Sequence, residues 1–174
     1  QSGTKSARIA GQMAVTMGGI KAEYIQTEAS IAVAGPYAFI LNGMAPQNIK
    51  PDLDNLLVQG PFRTPPHGVE MFKWDHAAHT WQSLWARPDI STPAAIIPVL
   101  STVGKQAYVM SWDDEGWNVT GLDFDKGNTE TRMVLGRSQQ FNGAWGILQL
   151  LPGGDVFIPG LAGPVRVQRK QAQP

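Results

Sequence analysis

The residues in this chain with the means to do chemistry fall into a few groups. Asp113, Asp114 and Glu115 are three successive acids that offer hard oxygen ligands of the kind calcium takes. Consecutive side chains point apart, however, while a calcium loop draws spaced ligands from several positions, so a solvated hairpin tip is the competing reading. Asp123, Asp125, Gly127 and Glu130 have the residue types of a calcium loop, but the last ligand comes far too early and a Gly-containing hairpin turn explains them better. Asp75, His76 and His79 would give a carboxylate and two imidazoles to a metal, yet a further ligand must come from elsewhere, and two histidines in a surface turn more often serve only as polar turn residues. Arg87 and Arg137 present guanidinium forks that can grip a carboxylate or phosphate. Asp89, two residues after Arg87, offers it an ion pair instead. Trp112 and Trp117 are the tryptophans best placed to stack on a bound ring, and His67 lies in a Pro-rich stretch that joins them. No G-x-S-x-G elbow is present, which argues against serine hydrolase chemistry.

The elements that must position these residues are short. The chain has 174 residues, enough for one domain with a core. Lys plus Arg is 14 and Asp plus Glu is 14, so the chain has no long-range field to draw in nucleic acid or an anionic membrane. Cysteine is absent, which removes disulfides, thiolate metal sites and thiol nucleophiles. The apolar runs are broken by Gly or Pro before they reach membrane-spanning length. The start QSGTKSAR has neither an initiator Met nor the apolar core of a signal peptide, which points to removal of an upstream segment; the compartment stays open, with a location outside the cytoplasm favoured. With 19 Gly and 13 Pro and no sustained helical periodicity, the expectation is an all-β chain.

A repeat organises the strands. Without a gap, VEMFKWDHAAHTWQSLWAR lies on VTGLDFDKGNTETRMVLGR fifty residues later: Val69 on Val119, Trp74 on Phe124, Asp75 on Asp125, Leu84 on Val134 and Arg87 on Arg137. The match continues with Ile97 on Ile147, Leu100 on Leu150 and Gly104 on Gly154. One period holds four strands, 94–101, 106–112, 117–124 and 130–136, forming an antiparallel meander. An earlier copy is offset by 69, with Gly35, Ala38 and Phe39 on Gly104, Ala107 and Tyr108, and a Pro-rich insertion at 43–67 takes up the difference. The expected divisions are a remnant at 1–28, meanders at 29–89 and 90–137, a partial meander at 138–170 and a tail at 171–174. Four strands at a period near 50 are the signature of β-propeller blades, which bury their faces by stacking.

In the aromatic or apolar residue, Asp and turn that precede the outer strand, as in LDFDKGNTETRMVL, the repeats resemble bacterial β-propellers of the quinoprotein-repeat or sugar-lactonase-like kind. The resemblance implies ligands at the mouth of a central channel, where SWDDEGWN, ARPDISTP and GRSQQFNG would gather with Arg87, Arg137, Trp112, Trp117 and His67. Two functions follow as expectations. One is a binding or assembly scaffold, the carboxyl-terminal part of a larger ring, completed by another polypeptide or a second copy and taking a small anionic ligand. The other is a quinoprotein-dehydrogenase-like or lactonase-like enzyme whose site is shared with an upstream chain. Three blades would leave two apolar faces uncovered.

Overall fold

The computed structural model describes residues 31–42, 68–93, 96–144, 146–160 and 162–168. The whole of the 43–67 insertion, His67 included, lies outside the described residues, as does the remnant at 1–28. The described chain is built of three antiparallel sheets, each open and each a meander. The first comprises β1 (Ala32–Ala34), β2 (Tyr37–Asn42), β3 (Gly68–Asp75) and β4 (Thr80–Arg87). The second comprises β5 (Val99–Ser101), β6 (Gln106–Asp113), β7 (Gly116–Asp123) and β8 (Thr129–Gly136). The third has three strands, β9 (Gln149–Leu150), β10 (Val156–Gly160) and β11 (Gly163–Val167). A 3₁₀ turn at Gln139–Phe141 interrupts the β structure, opened by the Ser138 hydroxyl accepting the Gln140 N–H.

The strands form where turn chemistry leaves apolar runs between them. Asp75 Oδ1 accepts the amides of Ala77 and Ala78, Asp113 Oδ1 that of Glu115, and Asp123 Oδ1 those of Asp125 and Lys126. Each is a short acidic side chain mimicking a backbone turn, which lets the strand reverse. The Asp75 carboxyl is held below its ordinary value of 3.8, chiefly by the Ala78 and Ala77 amides.

The fifty-residue repeat is visible in the ladder. The Trp74 amide donates to the Pro36 carbonyl and the Phe124 amide to the Lys105 carbonyl, so the same bond recurs with Trp74 and Phe124 in matching places. The first strands also match: Ile97 bridges Ile147 in parallel, with the Ile97 amide on the Gly146 carbonyl and the Leu148 amide on the Ile97 carbonyl. The match fails in the outer strands. Val69 stands opposite Arg87, whereas Val119 stands opposite Met133, so the counterpart of Arg87 is Met133 and not Arg137. The first hairpin closes at Asp75 and Thr80, but the second closes further back, at Leu122 and Thr129, around a longer turn; the register shift at Met71 and Phe72 recurs at the matching Gly121 and Leu122. Of the expected first strand at 94–101, the described residues 96–101 form a regular strand only at Val99–Ser101.

One buried cluster joins all three sheets, running through Phe39 and Met71, then Val109, Met110 and Leu122, then Val156 and Ile158. Every residue from Gly116 to Leu122 in β7 is buried, which requires cover on both faces of the second sheet. The first sheet is tied to the second by its aromatic residues. Tyr37 lies 5.0 Å from the Phe124 ring, the Trp85 indole N–H donates to the Phe124 carbonyl at 2.9 Å, and the Trp85 ring lies over Gly127. The far face of the first sheet is not bare as expected from three blades alone. Ala38, Ile40 and Phe72 form a second buried cluster there, with Glu70 fully buried and accepting the Ser83 hydroxyl at 2.6 Å.

Two tests follow. Gly127 has φ +71°, and a Cβ there would sit 2.5 Å from the Trp85 ring, so Gly127→Ala should cost about 2 kcal/mol in denaturant unfolding; an unchanged midpoint would mean that Trp85 does not seat on this turn. Tyr37 donates its hydroxyl to Asp125 at 2.9 Å, which raises its pKa above 10.0. A raised folded-state pKa means that this contribution to stability is complete below pH 10 and is lost as pH rises through the folded value. Asp125→Asn should therefore bring the Tyr37 ring titration, followed by NMR, back toward 10; no movement would exclude the bond.

Candidate functional site

Where β4 ends it faces the second sheet across a polar cleft of about 200 Å³. Arg87, Asp89 and Ile90 form one side, and Asp113, Thr129 and Arg132 belong to the other. Ser111, Asn118 and Thr120 line it from within the sheet, three polar side chains only 6%, 1% and 5% exposed. They share one surface because Ser111 pairs with Asn118 across the β6–β7 ladder and Thr120 follows Asn118 by two residues, the strand period. Ser111 and Thr120 both reach Asn118 Oδ1, and the Asn118 amide nitrogen donates to Asp113 Oδ2 at 3.0 Å and to the Gly116 carbonyl at 3.2 Å.

The charged rim is internally paired. Arg87 makes a two-pronged contact with Asp89, its Nε and Nη2 each 2.7 Å from a carboxylate oxygen, and its Nη1 donates to the Gly127 carbonyl at 2.9 Å. Asp89 pushes the Arg87 guanidinium up from its already high value, burial opposing it. Arg132 joins Asp113 at 2.6 Å and also Glu115, both of which raise its pKa. An exposed ion pair contributes under about 1 kcal/mol, but Arg87 also ties β4 to the next sheet through the Gly127 carbonyl.

Of the expected site residues the cleft brings together Arg87, Trp112 and Asp113; Arg137, Trp117, Asp114 and Glu115 do not line it, and His67 lies outside the described residues. Arg137 is not beside Arg87 as its counterpart; it donates instead to the Asp114 carbonyl. Trp117 is fully buried, edge-on to Trp112 with ring centres 4.7 Å apart, so it packs rather than presents a ring. Asp113 and Glu115 converge on Arg132, and among the described residues no three His, Asp or Glu side chains group to hold a metal ion. Asp114 stands at the tip of the β6–β7 hairpin, where its carbonyl accepts from Arg137. His76 and His79 are exposed in the β3–β4 turn, where Asp75 is occupied by backbone amides. The sequence reading missed Ser111, Asn118, Thr120 and Arg132. Its one usable signal was polar residues at 118 and 120 on a single face of an otherwise apolar strand. Asn118 also heads a glycosylation sequon, and its burial places it out of reach of that modification.

No protein-family model, curated protein or solved structure matches the chain.

Arg87→Ala should lower stability by about 1–2 kcal/mol, because it strips the Gly127 carbonyl of a partner as well as breaking the Asp89 pair. Arg137→Ala, which loses a single exposed bond, should stay within about 0.5 kcal/mol. Equal effects in chemical denaturation would contradict the separate placements of the two arginines.

Proposed function

We propose that the chain is a propeller-type scaffold segment that binds another polypeptide, which completes the stack of sheets. The observation carrying this reading is a difference between two equivalent faces. On the first sheet, the face bearing Tyr37, Phe39 and Trp85 is closed by Phe124 and Gly127 of the following hairpin. The ladder makes Gln106, Tyr108 and Thr131 the matching residues of the second sheet. That face borders a cleft of about 490 Å³, walled on its other side by Leu150, Leu151 and the Gly153–Gly154 turn of the third sheet. The third sheet has three strands among the described residues where the others have four. A fourth strand with its turn would fill the corresponding space.

The chemistry of the space agrees with such an occupant. Its lining of Ser101, Gln106, Tyr108, Thr131 and Met133 carries no charged side chain, so the matching surface is an apolar or neutral strand rather than a charged ligand. Val33, 66% exposed on β1, and Ile147, half-exposed at the parallel bridge, add apolar surface beside the first strands. The partner is a second copy of the chain or a different polypeptide with an extended apolar segment.

Light scattering on the purified chain tests the proposal. The expected result is either a species of two or more 18.9 kDa chains or a single chain that binds a hydrophobic dye at its open cleft. A compact single chain that leaves the dye unbound would overturn it.

A further inference from the structure

The polar cleft between the first and second sheets is one hydrogen short. Ser111 Oγ lies 2.5 Å from Asn118 Oδ1, Thr120 Oγ1 lies 2.8 Å from the same oxygen, and the two hydroxyls are 3.0 Å apart. Three oxygen–oxygen contacts thus share two hydroxyl hydrogens. Turning the Asn118 amide over would supply hydrogens, but it would also aim Oδ1 at the Asp113 carboxylate and the Gly116 carbonyl, two acceptors that the NH₂ now serves. The amide is therefore fixed with its oxygen toward the hydroxyls. Whichever way these rotate, unshared lone pairs remain at Ser111 and Thr120, buried and lining the cleft.

We propose that this cleft binds a small neutral polyhydroxy ligand of the size of one sugar ring, one of whose hydroxyls donates to Ser111 and Thr120. The lone pairs ask for a donor and so disfavour an anion, while the guanidinium forks that an anion would seek are already held by Asp89, Asp113 and Glu115. Arg87 and Arg132 are matched in the lining by Asp89 and Asp113, so the cleft carries no net charge to draw in a cation either. A neutral hydroxyl meets both demands, because it donates toward the strand residues and can accept from the rim. The volume of about 200 Å³ holds roughly six waters, which a single ring would displace. This assignment is independent of the partner-binding cleft, which lies on the other face of the second sheet and shares none of these residues.

Calorimetric titration of the full chain with glucose, galactose and mannose, beside inorganic phosphate and methylammonium, tests it. At least one hexose should bind saturably, and more tightly than either ion. Thr120→Val, which keeps the shape and removes the lone pairs, should weaken that hexose at least about tenfold, whereas Thr120→Ser should retain it, with melting temperatures reported for both. Absence of saturable hexose binding to the unmodified chain, preference for phosphate or methylammonium, or equal hexose affinity in a folded Thr120→Val chain would each overturn the proposal. If Thr120→Val does not fold, Ser111→Ala takes its place, with the same tenfold loss expected and unchanged affinity counting against the site.

Discussion

Strand β7 is buried on both of its faces, and that constraint governs the rest of the molecule. A meander alone covers neither face, so the second sheet has to be enclosed between neighbours, and one hydrophobic cluster runs through all three sheets as a result. The neighbours are held in place by different means. On one side, aromatic residues do it: Trp85 sits over Gly127 and donates to the Phe124 carbonyl, and Tyr37 packs against the Phe124 ring. On the other, backbone does it, through the parallel bridge of Ile97 and Ile147 and through Gly143, where any added Cβ would run into Met110 and Ile96. The order of the strands then decides which faces meet, since each meander runs outward from its first strand and the first strands of the three sheets lie side by side.

The two clefts are consequences of this stacking and differ in kind. The larger lies where the third sheet stops short of covering the second, and its lining is uncharged. The smaller lies where β4 ends against the second sheet, and there the interior turns polar: Ser111, Asn118 and Thr120 occupy positions that apolar residues would otherwise fill. A buried polar group is costly unless bonded, and here the three bond to one another and to Asp113, which makes the network rigid as well as tolerated. Arg132 in turn holds Asp113, so the charged rim orients the carboxylate that orients the amide.

Much of the β architecture is legible in the residues. The alternation and turn signals locate β6, β7 and β8 within a residue or so, and the fifty-residue spacing places Trp74 and Phe124 in equivalent bonds. The outer strands are not legible in this way. A gapless comparison matches residue to residue along the chain, whereas strand partners are set by where a hairpin closes, and the longer turn between β7 and β8 moves Met133 into the place expected of Arg137. The pairing of Arg87 with Arg137 fails for that reason, although the Arg87–Asp89 contact was visible in their spacing. The cleft was hidden for another reason. Ser111, Asn118, Thr120 and Arg132 come from three strands, and only the registers of β6, β7 and β8 bring them to one surface.

The packing of the three sheets around one core requires that they form one cooperative stack joined at their first strands. Native-state hydrogen exchange at the Ile97 and Leu148 amides, which make the bonds across the parallel bridge, measures this directly. If the account is right, both exchange only with global unfolding, at the same free energy as the Val109 and Val119 amides in the middle of the second sheet. Exchange of Ile97 and Leu148 through a low-energy local opening, while Val109 and Val119 stay protected, would show that the third sheet separates freely and would contradict it.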